Sequence, residues 1–126
     1  MTTSSARRTV LLVEDHADTR MFYAELFRGS FDVIEAGRGD RALQLAREQM
    51  PSLIITDIAL PGITGIELAK ALKGDEATAG IPIICLSGYA DQETSDAVAA
   101  SGIDRLLLKP CLPDDLLAHV NELMSQ

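Results

Sequence analysis

Five times along the chain a short apolar run of strand length precedes a segment of helix length, and that alternation leaves few folds open. The runs are Thr9 to Val13, Phe31 to Ala36, Leu53 to Thr56, Pro82 to Leu86 and Arg105 to Leu108. Most are continuously apolar rather than alternating, as expected of parallel strands with both sheet faces covered by helices. Ala17 to Arg28, Asp40 to Gln49, Gly65 to Lys73, Asp91 to Ser101 and Pro113 to Met124 read as the helices. Asp91 suits an N-cap and Pro113 a first helical turn, while Gly29 and Gly102 stand where a helix end favours a left-handed residue. Leu116, Leu117, Val120, Leu123 and Met124 form an apolar stripe for core packing in the last helix. The pattern predicts one α/β domain with a parallel sheet and crossover helices.

At 126 residues there is room for one core and little more. No apolar run approaches the roughly 20 residues of a membrane-spanning helix, and the start "MTTSSARRT" lacks the apolar stretch of an export signal. A cytoplasmic location is the expectation. The formal net charge of −8 disfavours a phosphate backbone as partner, so no direct nucleic-acid contact is expected. Cys85 and Cys111 are too few for a disulfide framework and read as small packing residues.

In an open α/β sheet the chemistry gathers at the carboxyl ends of the strands. There the first run ends in Glu14-Asp15, the third in Asp57, the fourth in Ser87-Gly88 and the fifth in Lys109-Pro110. An aspartate closing a buried run, as in "LIITDIALPGITG", requires a cation or donors to meet it. Glu14, Asp15 and Asp57 make an all-oxygen cluster suited to a hard divalent ion, magnesium better than calcium. Lys109 supplies a second compensating charge and Ser87 a hydroxyl donor. A carboxylate beside a metal, an ammonium and a hydroxyl is equipped to accept a phosphoryl group.

These residues resemble the receiver domains of two-component response regulators, with "VLLVEDH", "IITDIALPGITG", "IICLSGYA" and "LLLKPCLPDDL" following one another in order over essentially the whole chain. The resemblance implies a flavodoxin-like, doubly wound (βα)5 fold with strand order 2-1-3-4-5, and is nearest to stand-alone chemotaxis-type receivers. It implies phosphorylation at Asp57, magnesium held by Glu14, Asp15, Asp57 and the backbone carbonyl of Ala59, phosphoryl contacts and switching through Ser87 and Lys109, and a cis bond before Pro110. The implied phosphodonor is a sensor histidine kinase or a phosphotransfer protein. The signal would leave by docking to an unknown downstream protein, or by homodimerisation through the face of the fourth helix, fifth strand and fifth helix. Apart from its own phosphoryl transfer and dephosphorylation, no enzyme activity is implied. Residues 1–8 are expected to form a disordered tail and 9–126 the receiver domain, with no output domain.

Several positions depart from the family pattern. Leu106 stands where many receivers carry a Tyr or Phe that reports phosphorylation, so Tyr89 is the alternative carrier of the signal. Gly88 follows the hydroxyl residue where alanine is frequent, and Leu112 stands where a capping residue is expected before the last helix. His16 adjoins the acidic pair, but among hard oxygen ligands it reads as an exposed histidine at a helix start. His119 reads as solvent-facing or half-buried. Competing functions are a phosphate shuttle or sink in a relay, an aspartate-nucleophile phosphatase, a flavin carrier and a degenerate scaffold. The phosphatase would want Asp-x-Asp after the first strand. The flavin carrier would want a Ser/Thr/Gly-rich loop where "EDHADT" stands, and the intact site residues speak against the scaffold.

Overall fold

A computed structural model describes residues 7–88 and 91–125. In chain order the elements are β1 (Thr9–Val13), α1 (Ala17–Arg28), β2 (Asp32–Ala36), α2 (Gly39–Gln49), β3 (Leu53–Asp57), α3 (Gly65–Lys73), β4 (Ile83–Ser87), α4 (Gln92–Ser101), β5 (Arg105–Leu108) and α5 (Pro113–Met124). The strands form one parallel sheet in the order β2-β1-β3-β4-β5, as the resemblance implies.

The period of two along each strand sends alternate side chains to opposite faces. Val10 and Leu12 of β1 enter one core with Ala24 and Phe27 of α1 and Leu116 and Val120 of α5. Leu11 and Val13 enter the other, against Ala42 and Leu45 of α2 and Leu68 and Leu72 of α3. Burying a Leu, Ile or Phe fully is worth roughly 1.5–3 kcal/mol, so this two-sided burial holds the central strands. Their carboxyl ends are thereby fixed as a platform. The outer strand β5 is only half covered, and its last residue, Leu108, is exposed.

Helix ends follow local chemistry, with two differences from the sequence reading. Gly29 is right-handed at φ −64°, because Ser30 and Phe31 both donate to Phe27 O, tightening the turn and returning Phe31 to the core. The left-handed helix ends are Met50, at φ 48°, and Gly102, at φ 88°. Asp91 caps α4 through Thr94 N–H, and Leu112 gives α5 no side-chain cap. Thr64 and Glu67 form a reciprocal capping box at the start of α3. Of the tail expected over residues 1–8, residues 1–6 lie outside the described residues. Arg7 donates to Phe31 O at 2.7 Å and Arg8 to Met124 O.

Candidate functional site

The parallel ladder runs one residue beyond the strands and fixes where the polar side chains stand. Glu14 N donates to Ala36 O at 3.0 Å, Ile58 N to Leu86 O at 3.2 Å and Lys109 N to Ser87 O at 2.8 Å. Glu14, Asp57 and Ser87 are therefore buried, at 2%, 4% and 3% exposure, where β1, β3 and β4 end. Asp15, one residue past the ladder, is open to solvent. A cavity of about 170 Å³ is lined by Asp15, His16, Asp57, Ala59, Ser87 and Lys109, with Ile58, Leu86 and Gly88 completing its wall.

Lys109 follows the outer strand, and its bond to Pro110 is cis. Its ammonium lies 2.8 Å from Asp57 Oδ1 and 3.7 Å from Glu14 Oε1. Contact with these two carboxylates outweighs the opposing effect of burial and raises the lysine pKa, so it stays charged. One ammonium does not balance two buried carboxylates. Burial, reinforced by the contact with Glu14 and opposed by Lys109, pushes Asp57 from 3.8 up to about 7. Burial acts on Glu14 in the same direction, but hydrogen bonds from Asp57 and the His16 backbone, together with Lys109, hold it down to about 2. Without a metal the two carboxyls titrate as one coupled pair, in which Asp57 is the more readily protonated member. Despite the nearby ammonium, Asp57 Oδ1 accepts no well-formed hydrogen bond. This under-compensated negative pocket fits a divalent cation, with the buried oxygens of Glu14 and Asp57 and the open carboxylate of Asp15 as donors.

Close approach fixes the frame around Asp57. A Cβ on Gly65 would lie 2.1 Å from Asp57 O, so only glycine lets α3 start against the end of β3, where Gly65 N donates to Ile58 O at 2.8 Å. On the other side Arg20 donates to Glu14 O at 2.8 Å and pairs with Glu35 at 3.2 Å, tying the β1–α1 loop to β2. Gly37 lies beside Arg20, and a Cβ there would stand 3.1 Å from the guanidinium nitrogen, a tight contact that would shift the arginine by a few tenths of an ångström. Sequence reasoning missed Arg20, whose partner is a backbone carbonyl, and Gly65, whose role depends on a contact eight residues back. His16 is exposed as expected, yet its imidazole turns toward Glu14 and Asp15.

Of the remaining predicted residues, Leu106 is half-buried on β5, in register with Cys85 of β4. Tyr89 lies outside the described residues. Burial pushes the Cys85 thiol up to about 12, and both cysteines are unbridged, in keeping with packing roles. His119 is half-buried beside Arg105, 2.8 Å from Nδ1.

Comparison with known proteins gives the same frame. The chain is 34% identical over 120 residues to the phosphate regulon transcriptional regulatory protein PhoB of Pseudomonas aeruginosa, covering 94% of this chain and 52% of that one. It is 33% identical over 116 residues to hybrid signal transduction histidine kinase D of Dictyostelium discoideum, covering 92% of this chain and 8% of that one. The chain thus spans about half or less of the length of these curated relatives. A crystal structure of a putative response regulator from Chloroflexus aurantiacus superposes with a TM-score of 0.88 at 29% identity, covering 95% of this chain and 99% of that one. The response regulator receiver domain matches residues 10–121, and the chain belongs to that family of two-component signalling domains.

Proposed function

We propose that this receiver accepts a phosphoryl group on Asp57 and uses it to switch protein docking. The observation that carries the reading is the buried Asp57 carboxylate with the Lys109 ammonium 2.8 Å from Oδ1, at the floor of an open cavity. In the step, an Asp57 oxygen attacks phosphorus of a phosphohistidine, the N–P bond breaks and the electron pair leaves with the imidazole, which takes up a proton. Lys109 and the Ser87 hydroxyl stabilise the equatorial oxygens as charge gathers on them. Glu14, Asp15, Asp57 and the Ala59 carbonyl would hold Mg2+, which supplies neutralisation of the phosphoryl charge. Beyond this transfer and the later hydrolysis of the acyl phosphate, the chain carries out no enzymatic chemistry in this reading.

The donor is a histidine kinase or phosphotransfer protein, and the reaction belongs in the cytoplasm, where such donors act. Among the described residues no helix is long and apolar enough to cross a membrane. The receiving surface for a downstream protein or a second copy is the α4-β5-α5 face. At its β5 and α5 side a groove of about 400 Å³ is lined by Leu107, Leu108, Cys111, Leu112 and His119, among others, and Leu108 and Leu112 are exposed. A second reading, a phosphate shuttle or sink, is favoured by one observation: position 106 is an aliphatic, half-buried residue with no ring to reorient.

Intact mass after incubation with acetyl phosphate tests the reading. Gain of one phosphoryl group that requires Mg2+ and is lost in Asp57→Asn supports it; an equal gain in Asp57→Asn overturns it.

A further inference from the structure

His16 is the polar side chain at this cavity to which the phosphoryl chemistry gives no task. Its imidazole is 77% exposed, yet Nδ1 lies 3.2 Å from Glu14 Oε2 and 3.4 Å from Asp15 Oδ1. The His16 backbone N–H donates to the same Glu14 oxygen at 2.9 Å, which holds the three consecutive residues in one tight turn. One ligand atom from each of Glu14, Asp15 and His16 falls within 4.8 Å of the others. Neighbouring ligands on an octahedral ion with bonds of about 2.1 Å stand about 3.0 Å apart. On a tetrahedral zinc ion they stand about 3.4 Å apart. The two imidazole distances are of that size.

A second observation points into the same space. Asp57, 4% exposed, lines the cavity together with Asp15 and His16 and presents a buried Oδ1 that accepts no well-formed hydrogen bond. The Lys109 ammonium, 2.8 Å from that oxygen and 3.7 Å from Glu14 Oε1, is one positive charge against two buried carboxylates, and a metal cation would supply the charge still missing.

The geometry points to a mixed nitrogen and oxygen metal centre, in which His16 joins Glu14 and Asp15 at the cavity that Asp57 lines and widens the margin by which the site takes a first-row transition dication over magnesium. The inference rests on the proposed receiver reading, because the carboxylates are those that would hold Mg2+. What it adds is that residue 16 enlarges the preference for a transition ion over Mg2+. Magnesium gives up its waters reluctantly and gains little from an imidazole nitrogen. Nickel, cobalt and zinc gain much, so their advantage over magnesium grows when one oxygen or water ligand is replaced by nitrogen. Carboxylates alone already favour transition ions somewhat. His16 accounts for the increment that disappears with its imidazole.

The test is calorimetric titration of the full chain with Ni2+ and with Mg2+, in wild type, His16→Asn and His119→Asn, with electron paramagnetic resonance of the Cu2+-loaded proteins as a second readout. Loss of one imidazole ligand is expected to weaken Ni2+ by about 10-fold or more. Mg2+ affinity in His16→Asn should stay near that of wild type, His119→Asn should match wild type for both ions, and nitrogen coupling in the Cu2+ spectrum should vanish in His16→Asn alone. Equal Ni2+ affinity in wild type and His16→Asn, with Mg2+ still bound, overturns the role of His16 and leaves the receiver reading intact. Failure of wild type to bind Mg2+ at all overturns the metal site on which both rest.

Discussion

Raising the pH of the metal-free protein from about 5 to about 7 should weaken the fold, and Asp57→Asn should remove that loss. The cause is the raised Asp57 carboxyl, whose pKa moves from 3.8 to about 7 on folding. A raised pKa contributes stability that is fully present below the unfolded value and is lost as pH rises through the folded value. Glu14, lowered from 4.5 to about 2, contributes stability above 4.5 and loses it only as pH falls toward 2, so it adds no slope in this window. Across these two pH units the folded chain binds about one proton more than the unfolded chain, and each unit is worth about 1.4 kcal/mol. The expected loss is therefore about 2–3 kcal/mol. Urea unfolding in chelator at several pH values measures it, with Asp57→Asn as the reference that cancels the titrating groups not in contact with Asp57. In wild type, Mg2+ must displace the proton of the coupled pair, so its affinity should rise toward tenfold per pH unit over the same range. Equal pH slopes in wild type and Asp57→Asn, or a Mg2+ affinity that does not change with pH, would refute the reasoning.

Three further substitutions test the frame around the site. Gly65→Ala places a Cβ 2.1 Å from Asp57 O; it should cost about 1–3 kcal/mol in urea unfolding and weaken Mg2+ binding as the end of β3 shifts. Leu112→Ser supplies the cap that α5 lacks and should stabilise the fold by about 1 kcal/mol, read as a higher urea midpoint at unchanged slope. Gly88→Ala meets nothing within 4 Å and should stabilise by about 0.4–1 kcal/mol by restricting the unfolded chain, again read from the urea midpoint.

What the sequence made legible was whatever depends on strand ends. Asp57 stood out because a charge closes an apolar run. Glu14, Ser87 and Lys109 followed from the rule that ligands gather at carboxyl ends; the sheet order places Asp57, Ser87 and Lys109 around one cavity, with Glu14 buried 3.7 Å from the Lys109 ammonium. Contacts set by rotamers and backbone approach were not legible. Arg20 reaches a carbonyl past Gly37, where a Cβ would press on its guanidinium, and Gly65 is needed because α3 begins against Asp57. His16 was set aside on the hardness of its neighbours, whereas the turn that binds its N–H to Glu14 also carries its ring over the acidic pair. Gly29 looked like a left-handed helix end, but the two bonds to Phe27 O favour a tightened right-handed turn that buries Phe31, and Met50 adopts the left-handed conformation in the next helix.

The most direct test of the central claim is the identity of the modified atom. An acyl phosphate on an aspartate is reduced by borohydride to homoserine, which tandem mass spectrometry locates by residue. After treatment with acetyl phosphate and Mg2+, the account expects homoserine at position 57, with the rest of the chain unmodified. Homoserine at position 15, the one-carbon-longer alcohol (2-amino-5-hydroxypentanoate) at position 14, or a stable phosphoryl group on Ser87 or a histidine, would contradict it.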